Sequence, residues 1–186
     1  MEKIDLTEAM SFIKEKRVAI VGNSISIFNS KYGKDIDNHD IVIRFNKGFP
    51  NNIESQGSKT DILMLACHLT DDEIKKYNPK YTIRRLNIPY YNFTCDYVFT
   101  DSFMREISQN LGARPSSGLM MIEFALKSEA KIVDVYGFTF FKDATYYNPE
   151  GYKTKHCGET EEKRILGYYN ERKLNIFPEP LLNKND

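Results

Sequence analysis

Several groups of residues in this chain have types and spacings suited to chemistry at a phosphate. The first is His156, with Glu161 five residues on, just ahead of a stretch that reads as the last long helix. A helix N-terminus disfavours imidazolium, so His156 is expected to be neutral and able to take a proton near pH 7. Glu161 falls in the first helical turn, where a carboxylate suits the dipole. It reads as a support for the backbone that aims His156.

The second group is Pro115-Ser116-Ser117-Gly118. A proline entry, two hydroxyls and a glycine at a helix start leave N–H groups and the positive dipole end facing an anion. Alone, the same four residues serve as an ordinary helix cap. The third group is paired: the apolar run Val18 to Val21 breaks at Gly22-Asn23-Ser24, and Ile41-Val42-Ile43 leads through Arg44-Phe45 to Asn46. Parallel strands place ligands beyond their carboxyl ends, so two such strands would aim two amides at one crevice. Last come Tyr146 and Tyr147, which can donate from their hydroxyls or simply pack their rings.

One base and a set of neutral donors are what a hydroxyl needs to displace a phosphate leaving group from carbon. Other phosphate chemistries lose ground. The glycine spacing is not GxGxxG and there is no Walker lysine. Asp35-Ile36-Asp37 mimics a DxD metal signature, but the family resemblance set out next places its acidic positions among fold-supporting residues. His39 and His68 have no companion groups and read as structural.

Taken in order, VGNS, a tyrosine-glycine, IDNHDIVIRFNK and GSKT resemble the large sialylmotif of glycosyltransferase family 29, across Arg17 to Thr60. PSSGLMMIEFAL followed by KIVDVYGF resembles the small sialylmotif, and His156 to Glu161 the family's final motif. The resemblance implies an inverting, metal-independent transfer of sialic acid or Kdo from a CMP-sugar to a glycan hydroxyl, with His156 as base and no cofactor. It implies that Asn23 and Asn46 meet the phosphate and nearby hydroxyls, and that Ser116 and Gly118 meet the ribose and cytosine. Ser24 and Ser117 complete that set, Gly137 and Phe138 close the wall, and Tyr146 or Tyr147 adds a hydroxyl. Thr145 stands where the family's third motif has a His or Tyr. The chain is also short between about Leu69 and Arg114, where acceptor-binding elements would lie. A module that keeps the CMP pocket without transfer is therefore the alternative.

These residues need a scaffold that the pattern supplies. Apolar runs alternate with helical stretches, so the expected fold is α/β, a mostly parallel, Rossmann-like sheet flanked by helices, in one domain over residues 1–186. Helices are expected over 6–16 (Asp5 and Glu8 as caps), 70–77, 101–111 (Asp101 as cap), 119–127 and 160–172. Strands are expected near 18–21, 40–45, 61–66, 81–88, 131–136 and 174–177, with loops over 47–58 and 140–155.

The 186 residues carry 26 basic and 26 acidic side chains, so no net field favours nucleic acid, and only peripheral membrane contact stays open. No apolar signal or transmembrane segment is visible. The resemblance aligns Val18 and Ala130 with the disulfide cysteines of the animal members. Their absence points to a reducing cytoplasm and a microbial or viral source. Asn92-Phe93-Thr94 is a formal glycosylation sequon with no secretory route to give it weight.

Overall fold

In the computed structural model, residues 6–85, 95–150 and 156–180 are described. Among them, strands β1 (Arg17–Val21), β2 (Ile41–Phe45), β3 (Ile62–Leu65), β4 (Tyr81–Arg85), β5 (Tyr97–Phe99), β6 (Ile132–Tyr136) and β7 (Asn175–Phe177) form one sheet. Its order is β5-β4-β3-β2-β1-β6-β7 and every pairing is parallel. The α/β expectation holds.

The strands are apolar throughout because both faces of the sheet are covered. Successive side chains point to opposite faces. Val18 and Ile20 therefore join one core and Ala19 and Val21 another. The first core lies under α1 (Thr7–Ile13), α5 (Asp101–Leu111), α6 (Ser117–Lys127) and α7 (Gly158–Asn170). The opposite face carries a 3₁₀ turn at Ile25–Asn29 and the short helices α2 (Gly33–Asp37) and α3 (Ile53–Gln56). Helix α4 (Asp71–Tyr77) covers Leu63 and Leu65 through Tyr77 and Ile74.

Helix α6 is buried from Gly118 to Ala125, Glu123 included. A buried carboxylate needs partners. Glu123 has two from α7, the Nε of Arg164 at 2.5 Å and the hydroxyl of Tyr168 at 2.6 Å. This clamp holds α6 and α7 side by side.

From β1 the chain runs outward through β2, β3, β4 and β5, then returns through α5 and α6 to β6 on the other side of β1. Such a reversal opens a crevice at the carboxyl ends of the strands.

Local departures from the expected elements have local causes. Helix α1 stops at Ile13, since Lys14 is extended and Glu15 is left-handed; its N-cap is Leu6, without a side-chain bond, and Asp5 lies outside the described residues. Thr100, not Asp101, caps α5 by accepting from the Phe103 amide. The 47–58 loop contains α3, started by the Asn52 side chain accepting from Ser55. Strand β5 was not expected at all. The 81–88 strand is described only to Arg85, and the Asn92 sequon lies outside the described residues.

Candidate functional site

Five strands end on one cavity of about 500 Å³. β1 contributes Gly22, Asn23 and Ser24; β2, Phe45 and Asn46; β3, Ala66 and Cys67; β4, Arg85; β6, Gly137 and Phe138. The start of α6 adds Ser116, Ser117 and Gly118, and the start of α7 adds His156 and Glu161. Thr145 and Tyr147 complete the wall beside β1. The topology thus brings together all but one of the site residues expected from the sequence. Tyr146 is the exception and a correction: it does not line the cavity but packs on Phe28 in the core behind it.

Glycines set the closeness of these walls. A Cβ on Gly22 would sit 2.4 Å from the Gly137 carbonyl oxygen, and one on Gly48 would sit 2.0 Å from the Asn23 Oδ1. Asn23 is therefore wedged against backbone, its Nδ2 donating to the Phe45 carbonyl at 3.0 Å. That bond uses one of two amide hydrogens, so a donor remains. Asn46 has a left-handed backbone (φ 52°) and its Oδ1 accepts from the Ala66 amide at 2.7 Å. With the oxygen tied to β3, the amide's donors are what Asn46 offers the cavity. Thr145 bridges Ser24 and Asn148 through its backbone, and its buried Oγ1 has no hydrogen-bond partner. That bridge decides which of the two tyrosines faces the cavity.

At the start of α6, Ser116 is the N-cap, its Oγ accepting from Leu119 at 3.1 Å. Its own two donors go to one carboxylate: the amide to Glu161 Oε1 at 2.6 Å and the hydroxyl to Oε2 at 2.5 Å. Ser116 lines the cavity as expected, but with both its donors spent inside the protein it can meet a ligand only as an acceptor or by packing. Glu161 is 2% exposed, and it joins the N-terminus of α6 to that of α7. Burial raises its carboxyl above the usual range, opposed by the two Ser116 bonds and by Arg85.

His156 stands half-buried at the mouth of this junction. Its Nδ1 lies 3.1 Å from the Arg114 carbonyl oxygen, which can only accept. Nδ1 therefore carries the proton in the neutral ring, and Nε2 carries the lone pair. The Phe141 ring stacks on the imidazole, centroids 5.5 Å apart and planes 15° from parallel. Phe140 and Phe141 both hold left-handed backbones (φ 54° and 66°), strain that bulky residues keep only where their surroundings enforce it.

The imidazole pKa is lowered, first by burial and then by the nearby guanidiniums of Arg85 and Arg114, against the Arg114 carbonyl bond. The direction is the one expected from the sequence. The cause is different, cationic neighbours and burial rather than the helix end.

Those two arginines were missed from the sequence. Arg85 closes β4, is 4% exposed, and its Nη2 is buried without a hydrogen-bond partner. Burial, then Arg114, push its guanidinium down to about 10, with Glu161 acting in the opposite direction. Nothing in the run Arg84-Arg85-Leu86 signals this, because the role comes from where β4 ends in the sheet.

The acidic pair of the apparent metal signature is occupied elsewhere. Asp35 accepts the Tyr136 hydroxyl, and Asp37 accepts the Ser58 and Lys59 amides at 2.9 Å each. His39 is buried, bonded to the Asp35 carbonyl and to Asp134, and His68 is exposed and not part of the cavity wall. Cys67, Cys95 and Cys157 are all free thiols. Among the described residues, no group of three or more His, Cys, Asp or Glu is placed to hold a metal, and no helix is long and apolar enough to cross a membrane.

Comparison with known proteins bears out the resemblance read from the motifs. Residues 3–94 match the model of glycosyltransferase family 29 (sialyltransferase). A chicken (Gallus gallus) CMP-N-acetylneuraminate-beta-galactosamide-alpha-2,3-sialyltransferase 1 is 32% identical over 156 residues, 66% of this chain and 44% of that protein. An Arabidopsis thaliana beta-1,6-galactosyltransferase is 43% identical over 70 residues, 36% of this chain and 18% of that one. The chain thus spans less than half the length of these relatives. In fold it is similar to a mammalian sialyltransferase crystal structure, with TM-score 0.64 and 20% identity, covering 96% of this chain and 80% of the other.

Proposed function

From the glycosyltransferase family 29 (sialyltransferase) sequence that residues 3–94 carry, we propose that this chain is an inverting glycosyltransferase. It moves sialic acid or Kdo from a CMP donor to a glycan hydroxyl. The observation that carries the proposal is the meeting of His156, two strand-end asparagines and the start of α6 in one cavity. In this reading His156 Nε2 takes the proton from the attacking hydroxyl while CMP departs from the opposite face. Its Nδ1–H stays on the Arg114 carbonyl and fixes the ring. The Asn23 and Asn46 amides, the Ser117 amide end of α6 and Tyr147 stabilise the charge that grows on the departing phosphate. Gly118 lets the Phe138 ring close against the start of α6, and Gly137 takes the left-handed turn (φ 66°) that ends β6 at the cavity. A CMP-sugar has one phosphate and no pyrophosphate for a metal to bridge, so metal-independent transfer is part of the proposal.

One observation favours a second reading, a CMP-binding module without transfer. Thr145 replaces the family's His or Tyr, and its hydroxyl is buried without a partner. Incubating the protein with CMP-Neu5Ac and with CMP-Kdo, with and without glycan acceptors and with excess EDTA, separates the two. Transfer that survives EDTA is expected. CMP binding without transfer to any acceptor selects the module, and a requirement for Mg²⁺ or Mn²⁺ overturns the metal-independent part.

A further inference from the structure

Phe141 is a costly residue where it stands. Its backbone is left-handed (φ 66°), as is that of Phe140 before it (φ 54°), a region that bulky side chains rarely enter and that glycine takes readily. Phe141 is also 41% exposed and belongs to none of the apolar clusters among the described residues, so core packing does not account for it. The segment is nevertheless held firmly. Phe140 packs on the main core, and Lys142 donates to Glu162 of α7 at 2.6 Å. Gly158, the first residue of α7, leaves room for the turn: a Cβ there would lie 2.2 Å from the Phe140 carbonyl oxygen and 3.4 Å from the Phe141 ring.

The contact so enforced is the stack of Phe141 on His156, between two residues that both line the cavity. The Nδ1 bond to the Arg114 carbonyl pins one atom of the imidazole but lets the ring swing about that bond. An aromatic ring on its face stops the swing and so fixes where Nε2 points. The stack also acts on charge. A cation is attracted to an aromatic face within about 6 Å of the ring centroid, and His156 becomes a cation as it takes a proton. The neighbouring guanidiniums act the other way, Arg85 from the end of β4 and Arg114 from ahead of α6. Glu161 on α7 has both oxygens bonded to Ser116. On the loop itself, Lys142 is paired with Glu162, and Asp143 accepts from Ser24. We propose that Phe141 is a positioning residue for the base, its ring holding the imidazole plane and favouring the imidazolium that forms as the acceptor hydroxyl is deprotonated. The inference rests on the transferase reading and adds to it a residue that acts through His156.

The test compares wild type with Phe141→Leu, Phe141→Tyr and Phe141→Gly, using the CMP-sugar and glycan acceptor that give transfer with wild type. Measured are kcat and acceptor KM across pH, calorimetric titration of CMP, NMR titration of the His156 ring, and thermal melts. Phe141→Leu keeps apolar bulk and loses the ring face. It should lower kcat about 3- to 30-fold, the worth of a cation over an aromatic ring, with CMP affinity and acceptor KM within about twofold. Its pH–rate midpoint and the His156 titration should both move down, because the imidazolium has lost a stabilising neighbour. Phe141→Tyr keeps the stack and should hold the wild-type rate and midpoint. Phe141→Gly, which the left-handed backbone accepts without strain, also removes the ring and carries the same comparison should Phe141→Leu fail to fold. An unmoved kcat, an unmoved midpoint, or a loss in Phe141→Tyr as large as in Phe141→Leu overturns the inference while the transferase reading stands. A rise in acceptor KM with kcat kept overturns it too, and makes the ring a surface for the acceptor instead. Wild type without transfer to any acceptor overturns both.

Discussion

Two regions of this molecule bury the same pair of residue types and treat them differently. Beside β2, His39 and Arg44 sit in a network in which each bond is returned. Both His39 ring nitrogens face groups that only accept, the Asp35 carbonyl at 2.9 Å and the Asp134 carboxylate at 2.8 Å, so the ring holds two protons. Arg44 is capped by two carbonyls. At the carboxyl end of β4, the His156 Nδ1 donates to the Arg114 carbonyl and its ring stacks on Phe141, while Arg85 keeps a buried nitrogen without a partner. Burial of a charge therefore does not mark the site; a buried guanidinium nitrogen left without a partner does.

The sharpest way to break this contrast is to remove each histidine. His156→Ala should lower transfer by about 10²- to 10⁴-fold, the usual worth of a positioned base, while CMP binding holds within a few-fold. The wild-type rate should rise with pH through a midpoint below about 6.5, because burial, Arg85 and Arg114 all disfavour imidazolium. Removing one cation in Arg85→Met should move that midpoint upward in a pH–rate profile. An unmoved midpoint would separate Arg85 from the base.

The arginines come next. Arg44→Met keeps the stem but strands the Lys59 and Gln56 carbonyls, at a cost of about 3 kcal/mol in urea denaturation. Arg85→Met removes a nitrogen that has no partner and should alter stability by less than about 1 kcal/mol, or raise it. Equal losses would erase the distinction between the two regions.

A smaller effect is expected at the α6–α7 junction. Glu161→Gln replaces one acceptor of the Ser116 pair with a donor, and should cost about 1–2 kcal/mol of stability. Because Gly118 and Ser117 ride on the same turn, CMP affinity should fall with it; intact affinity would detach the junction from the site.

The smallest effect concerns His39. Burial opposes its charge, but the bonds to Asp134 and the Asp35 carbonyl outweigh burial and raise its pKa. The stabilisation is then full below the ordinary histidine value of about 6.5 and is lost as pH rises through the raised folded value. Denaturation curves across that window should show wild type losing stability upward, and His39→Gln should flatten the slope.

Much of the scaffold was legible because it is written in long apolar runs. β1, β2, β3 and β6 announce themselves, and so does α5, which stops where Gly112 takes a left-handed backbone (φ 68°). β5 is three residues at a sheet edge, too short for a periodic signal. At the site, Asn23, Asn46 and the Ser116 turn could be found because their neighbours form local patterns. Arg85 could not, since it depends on how many strands separate β4 from β1. Nor could the Arg114 carbonyl that fixes His156, because a backbone oxygen leaves no trace in residue type. Between Tyr146 and Tyr147 the sequence is silent, and the backbone bridge at Thr145 decides.

The link between Ser116 and Glu161 joins residues 45 apart in the chain. On the ribosome, the first five strands leave the exit tunnel well before His156 and Glu161 are made. The α6 turn has no carboxylate to hold it until α7 arrives, and His156 arrives with α7. A nascent chain can thus assemble most of its sheet before the cavity is complete, and the wall closes only when α7 docks.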